Sequence, residues 1–130
     1  MAAKVLLVDD DIYMQRLYQR TFQQAHYDMS IANDGVALVD RAKVEMPDVI
    51  IMDVMMPRRN GMEALGDLMG DEVAKNIPVI MLSANEDDQL MLEALQLGAK
   101  RYLVKSMIEP EQMIQIATEV IAELSDQAKT

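Results

Sequence analysis

The chain has 130 residues, 51 % of them hydrophobic, and carries 12 Lys and Arg against 22 Asp and Glu, a formal net charge of −10, with no Cys. That length and apolar content suit one domain with a single ordinary core. An acidic chain cannot neutralise phosphates, which argues against nucleic acid as a direct partner, and without Cys there is neither a disulfide framework nor a thiolate metal site.

Lys4–Val8 is a short apolar run with the look of a strand buried on both faces. After it, Met14, Leu17, Tyr18, Thr21, Phe22 and Ala25 repeat at helical spacing. Tyr27–Ala32 alternates instead, as an edge strand with one wet face does. Leu38, Val39, Ala42 and Met46 mark a second helix ended by Pro47. Asp48–Met52 is the next buried strand, and Gly61–Met69 a shorter, weaker helix. Ile77–Leu82 is the fourth strand, followed by a helix over Asn85–Leu97 that stops at Gly98. Arg101–Val104 is the fifth strand, and Met113, Ile116, Ala117, Val120 and Leu124 line the last helix. Strands alternating with helices imply parallel pairing in a doubly wound α/β sandwich with helices on both faces. We expect one domain over residues 1–124 and a frayed tail over 125–130. No apolar run exceeds four residues, against the about 20 of a membrane helix, and no charged leader opens the chain, so a cytoplasmic location is expected.

In open parallel sheets, ligands bind beyond the carboxyl ends of the strands. The residues that directly follow the apolar runs are Asp9-Asp10-Asp11, Asp53, Ser83 and Lys105. Each has a plainer reading. Asp10 or Asp11 serves as an N-cap, Ser83 with Glu86 matches a capping box, and Lys105 is a solvated lysine. Taken singly, those readings are the simpler ones for Ser83 and Lys105. Taken together, the residues gather carboxylates, a hydroxyl and an ammonium at one edge. Two carboxylates about 4 Å apart repel by about 4 kcal/mol at an effective dielectric near 20, so such a cluster calls for a cation. All-oxygen ligands without His or Cys favour Mg²⁺. A metal, a lysine, a hydroxyl and a nucleophilic Asp together equip a site for phosphoryl transfer.

The text Val8-Asp9-Asp10, then Asp53-Val-Met-Met-Pro57 with Gly61, then Ser83-Ala84, then Gly98-Ala99-Lys-Arg-Tyr102-Leu-Val-Lys105 resembles the receiver domain of two-component response regulators, over roughly Lys4 to Leu124. The resemblance implies a five-stranded parallel sheet in the order 2-1-3-4-5. It implies that Asp53 accepts a phosphoryl group from a histidine kinase or phosphotransfer protein. Asp9, Asp10, Asp53 and the backbone carbonyl of Met55 would hold Mg²⁺, with Mn²⁺ as an alternative. Lys105 and Ser83 would bind phosphoryl oxygens, and Ser83 would be coupled to Tyr102 as the switch pair. The acyl phosphate would then bias a two-state equilibrium on the face of the fourth helix, fifth strand and fifth helix, where a downstream protein or a second copy docks. Such a chain modifies only itself and is no enzyme with an external product.

Some positions depart from the pattern. Lys105 is followed by Ser106 where the family usually has Pro. Asp11 falls at a variable place and is expected to cap the first helix. Met55, apolar, should position an attacking water poorly, so self-dephosphorylation is expected to be slow. With successive residues turned by about 100° on the fourth helix, Ala94 and Leu97 fall close beside Leu90. Leu95 and Leu92 fall well round toward the opposite side. The apolar arc of about 220° is wider than a core stripe requires. Leu92 and Leu95 are therefore expected at the surface as a partner or dimer contact. Most of the 13 Met read as core filler, and His26 as a surface residue. The rivals are a dehalogenase-type Mg²⁺ phosphohydrolase, in which Tyr13 replaces the preferred Thr, and an interaction module that is never phosphorylated. A flavodoxin-type carrier is poorly served by four Tyr, one Phe and no Trp.

Overall fold

The computed structural model describes residues 2–129, with side chains described to residue 124. Its order is β1 (Lys4–Val8), α1 (Ile12–Gln24), β2 (Asp28–Ala32), α2 (Leu38–Glu45), β3 (Val49–Asp53), α3 (Gly61–Met69), β4 (Val79–Ser83), α4 (Asp88–Leu97), β5 (Arg101–Val104) and α5 (Pro110–Lys129), with 3-10 turns at Ala74–Asn76 and Lys105–Met107. The five strands pair in parallel in the order β2-β1-β3-β4-β5. The frayed tail expected over 125–130 lies outside the residues with described side chains. No described helix is long and apolar enough to cross a membrane.

The continuous apolar runs follow from a sheet covered on both faces, because successive side chains point opposite ways and both sides are dry. Leu6, Val8, Ile50, Met52, Val79 and Met81 face one layer with Leu38, Ala42, Ala64, Leu65, Leu68 and Ala94. Val5, Leu7, Val49, Ile51, Ile80 and Leu82 face the other, closed by Tyr18, Phe22, Met113, Ala117 and Val120. Met52, Met81 and Met113 are thus core filler, as read. β5 differs from its expectation as a strand buried on both faces. It is the outer strand, and all four residues are half-buried.

Helix boundaries follow local chemistry. Asp11 caps α1, accepting from the N–H groups of Tyr13 and Met14. α3 starts at a capping box in which Asn60 and Glu63 bond each other's backbone N–H, a signal that strengthens what composition makes a weak helix. α4 begins at Asp88 rather than Asn85, because Asp87 is its cap and accepts from Leu90 N. Met46 stands outside α2 in a left-handed conformation, φ 47°. Gly98, at φ 127°, ends α4 against Met69, whose Sδ would lie 2.6 Å from a Cβ there.

A candidate phosphoryl-transfer site

The chain passes from β1 out to β2 and back across β1 to β3, so the strand order reverses between β1 and β3. Asp9 follows β1 and Asp53 ends β3. Both are forced into place by backbone. Asp9 N donates to Ala32 O at 3.0 Å, and Val54 N donates to Leu82 O at 2.8 Å, extending the ladders one residue past the apolar runs. Gly61 N donates to Val54 O, folding the following loop back on β3. A Cβ on Gly61 would lie 2.2 Å from the Asp53 carbonyl oxygen, so only glycine permits this close return beneath Asp53.

Carboxylate oxygens of Asp9, Asp10 and Asp53 lie within 4.8 Å of one another. Asp9 and Asp53 are buried and Asp10 is exposed. Lys105 Nζ donates to Asp53 Oδ2 at 2.8 Å and stands 3.5 Å from Asp9 Oδ2. Asp53 Oδ1 accepts from Met55 N at 3.2 Å, while the Met55 side chain is exposed. Asp9 Oδ1 accepts from Asp11 N at 2.9 Å, yet Asp9 Oδ2 is buried without a hydrogen bond. Burial raises the Asp9 carboxyl above its usual range, against the Asp11 N–H and the Lys105 charge, which favour ionisation. Burial alone would lower the Lys105 ammonium, but its hydrogen bond to Asp53 and the charges of Asp53 and Asp9 outweigh it and raise the value. One ammonium thus faces two buried carboxylates and a third at the rim.

Ser83 is buried at the end of β4. It does not cap α4. Its Oγ donates to Asn85 O at 2.8 Å and receives Asn85 N at 3.2 Å. Tyr102, half-buried on β5, has its hydroxyl buried without a partner. Lys105 opens a 3-10 turn, and no described peptide bond, that to Ser106 included, is cis. Leu92 and Leu95 are exposed on α4 as expected, at 56 % and 42 %. Leu97, placed by its angle beside Ala94 and the core, is exposed as well, since α4 meets the core chiefly through Ala94. His26 is exposed in a left-handed turn after α1.

One residue of the site's frame escaped the sequence reading. Gln15 Nε2 donates to Asp9 O at 2.6 Å and to Asn33 Oδ1 at 2.8 Å, tying α1 to the ends of β1 and β2. Its place one turn past the Asp11 cap was the available signal.

The sequence and the fold that hold these residues have known counterparts. The model of the response regulator receiver domain matches residues 5–118. The alkaline phosphatase synthesis transcriptional regulatory protein PhoP of Bacillus subtilis is 33 % identical over 105 residues, 81 % of this chain and 43 % of that protein. The chain therefore spans less than half the length of that relative. Chemotaxis protein CheY of Thermotoga maritima is 30 % identical over 92 % of this chain and 98 % of its own. Among solved structures, Vibrio cholerae chemotaxis protein CheY4 is 32 % identical with a TM-score of 0.84, covering 92 % of this chain and 99 % of that one.

Proposed function

The chain belongs to the response regulator receiver domain family, and from that premise we propose that it is a phosphorylation switch whose acceptor is Asp53. The observation that carries this reading is the 2.8 Å contact of Lys105 Nζ with Asp53 Oδ2 inside a cluster of three acids. The donor set suits Mg²⁺, with Mn²⁺ as an alternative: it is all oxygen, and the buried Asp9 Oδ2 accepts no hydrogen bond. Asp9, Asp10 and Asp53, with the Met55 carbonyl, are the residues that would hold the ion. When bound, the ion offsets the charge of the carboxylates and of the incoming phosphoryl oxygens.

The Asp53 carboxylate attacks phosphorus. A new O–P bond forms as the bond to the donor's imidazole nitrogen, or to a small acyl phosphate's leaving oxygen, breaks, and the electron pair leaves with the donor. Lys105 turns from the carboxylate to a phosphoryl oxygen and balances its charge. Ser83 exchanges its bond with Asn85 for another phosphoryl oxygen, and Tyr102, whose hydroxyl has no bond to lose, follows. That movement biases the face of α4, β5 and α5, where Leu92, Leu95 and Tyr102 form the surface for a downstream protein or a second copy. The partner upstream is a histidine kinase or phosphotransfer protein, and the location cytoplasmic. The chain catalyses only its own phosphorylation and dephosphorylation. With an apolar, exposed Met55 beside Asp53, hydrolysis of the acyl phosphate is slow.

Incubation with Mg²⁺ and acetyl phosphate should add one phosphoryl group, acid-stable, base-labile and absent from Asp53→Asn. Steady release of phosphate without accumulation would favour the hydrolase, and no added mass the unphosphorylated module. On the output face, Leu92→Asp should weaken self-association or partner affinity. An unchanged affinity in both would remove Leu92 from the surface.

A further inference from the structure

The chemistry above gives no part to Gln15, whose side chain touches the backbone of Asp9. β1 and β2 run side by side with Val8 opposite Ala32, so Asp9 and Asn33 leave the sheet as neighbours. Asp9 N still finds Ala32 O, at 3.0 Å, and there the ladder ends. Asp9 O accepts instead from Gln15 Nε2 at 2.6 Å, and the same nitrogen donates to Asn33 Oδ1 at 2.8 Å. An amide nitrogen carries two N–H groups, and both are used. A backbone carbonyl can only accept, so the bond to Asp9 O also fixes which way the Gln15 amide is turned.

Both ends of this clamp are held. Gln15 N donates to Asp11 O at 3.0 Å in the first turn of α1. Beside Asn33, Asp34 Oδ1 accepts from Val36 N at 2.8 Å and Oδ2 meets Arg58 Nη2 at 2.9 Å. A Cβ on Gly35 would lie 2.9 Å from Arg59 O, so the β2–α2 loop lies hard against the loop that follows Asp53. The effect falls on Asp9. Its N, O and Oδ1 are all hydrogen-bonded within the chain, and only the buried Oδ2 is left without a bond. The carbonyl that Gln15 holds belongs to the planar peptide joining Asp9 to Asp10, so one bond sets the plane from which both acids depart.

We propose that Gln15, braced by Asn33, is a positioning residue of the cation site, and that its hold on the Asp9–Asp10 peptide makes the site choose Mg²⁺ over Ca²⁺. Mg²⁺ demands near-ideal octahedral geometry at about 2.0–2.1 Å, whereas Ca²⁺ takes about six to eight oxygens at longer and looser distances. A fixed peptide denies the larger ion the adjustments it needs. A loosened one costs Mg²⁺ its geometry and spares Ca²⁺. The inference deepens the reading of Asp9, Asp10 and Asp53 as cation ligands and rests on it.

Gln15→Met keeps the length and helix propensity of the side chain and removes both donors. Mg²⁺ alone and Ca²⁺ alone are titrated into the ¹⁵N-labelled full chain, followed by the amide resonances of Asp10 and Asp53. In the variant the Mg²⁺ dissociation constant should rise about tenfold, as when a ligand loses its supporting hydrogen bond, while that for Ca²⁺ moves by less than about twofold. Asn33→Ala should shift the ratio the same way by about threefold and add nothing in the Gln15→Met background. Asn33→Asp keeps the acceptor and should keep the wild-type ratio, which is blind to the added charge because both ions are divalent. A general loosening of the fold would weaken both ions together. A Mg²⁺-to-Ca²⁺ ratio equal to wild type in Gln15→Met, or in Asn33→Ala if Gln15→Met does not fold, would overturn the proposal. A wild type in which neither ion moves those resonances would instead overturn the reading of the three acids as a cation site.

Discussion

Two acidic regions of this molecule use the same residue types to opposite effect. On the flank of α3, Arg59 Nε meets Asp67 Oδ2 at 2.5 Å and Nη2 meets Oδ1 at 2.7 Å, with Glu63 Oε2 at 3.3 Å from Nη1. These groups are partly exposed, and Arg59 holds the Asp67 carboxyl below its usual range. At the edge of the sheet, one lysine stands before three acids, two of them buried, and burial pushes Asp9 the other way. The flank is a settled arrangement that water would serve nearly as well. The sheet edge carries an unbalanced negative charge that the fold tolerates and that, on the reading proposed above, a cation would offset. On the proposed reading, function sits where the protein's own pairing is incomplete.

Removing the single cation should show the difference most clearly. Lys105→Ala leaves Asp9 and Asp53 buried against each other, and loss of one partner from a buried pair costs about 3 kcal/mol or more. Because the Lys105 side chain is 20 % exposed, we expect about 2–3 kcal/mol in urea unfolding at pH 7 without divalent ions. A variant as stable as wild type would mean the edge is as settled as the flank.

Asp9→Asn tests the same imbalance from the other side. The folded carboxyl is raised from 3.8, so its contribution to stability is complete below the unfolded value and is lost as pH rises through the folded one. At pH 7 the charge of Asp9 is therefore a cost, and the amide should make the metal-free protein more stable than the wild type. The gain should shrink toward zero as the pH is lowered to about 4. Asp67 has the opposite sign: its lowered pKa supports the fold above the unfolded value, and that support fades as pH falls through the folded one.

The sheet edge was legible in sequence because a strand buried on both faces leaves an unbroken apolar run, and the polar residue after it is where the backbone must emerge. Asp9, Asp53, Ser83 and Lys105 were found that way. What Ser83 does was less legible. The pattern Ser83…Glu86 is a cap by spacing, yet Asp87 is the better cap for a helix starting at Asp88, and Ser83 turns to Asn85. Gln15 reads only as a polar position on a helix, since nothing in the helix pattern says that the end of β1 lies beside it. The β5 run resembles the others and so reads as a strand buried on both faces. Its half-burial comes from sheet order, a property of the whole chain.

Magnesium should act on one region and leave the other alone. A ligand at about ten times its dissociation constant adds about 1.4 kcal/mol to a fold it binds only in the native state. The thermal midpoint of the wild type should rise with Mg²⁺ by that measure, and those of Asp9→Asn and Asp53→Asn should not. Equal rises in all three would place the ion elsewhere on this acidic surface.

The smallest effect belongs to the flank. Arg59→Ala removes a guanidinium that bonds two carboxylates, which by count looks like a larger loss than one lysine. Its partners are open to solvent, however, and each freed carboxylate regains water. Exposed pairs contribute about 0–1 kcal/mol, less as salt rises, because the Debye length falls to about 8 Å at physiological ionic strength. We expect a loss much smaller than that of Lys105→Ala, fading between low and high salt, with phosphorylation by acetyl phosphate unchanged. The Asp67 carboxyl should return toward its ordinary range, visible by NMR titration, since the Arg59 hydrogen bond is the main cause of its depression. A loss matching that of Lys105→Ala would show that exposure does not separate the two regions, and the contrast between them would have to rest on geometry alone.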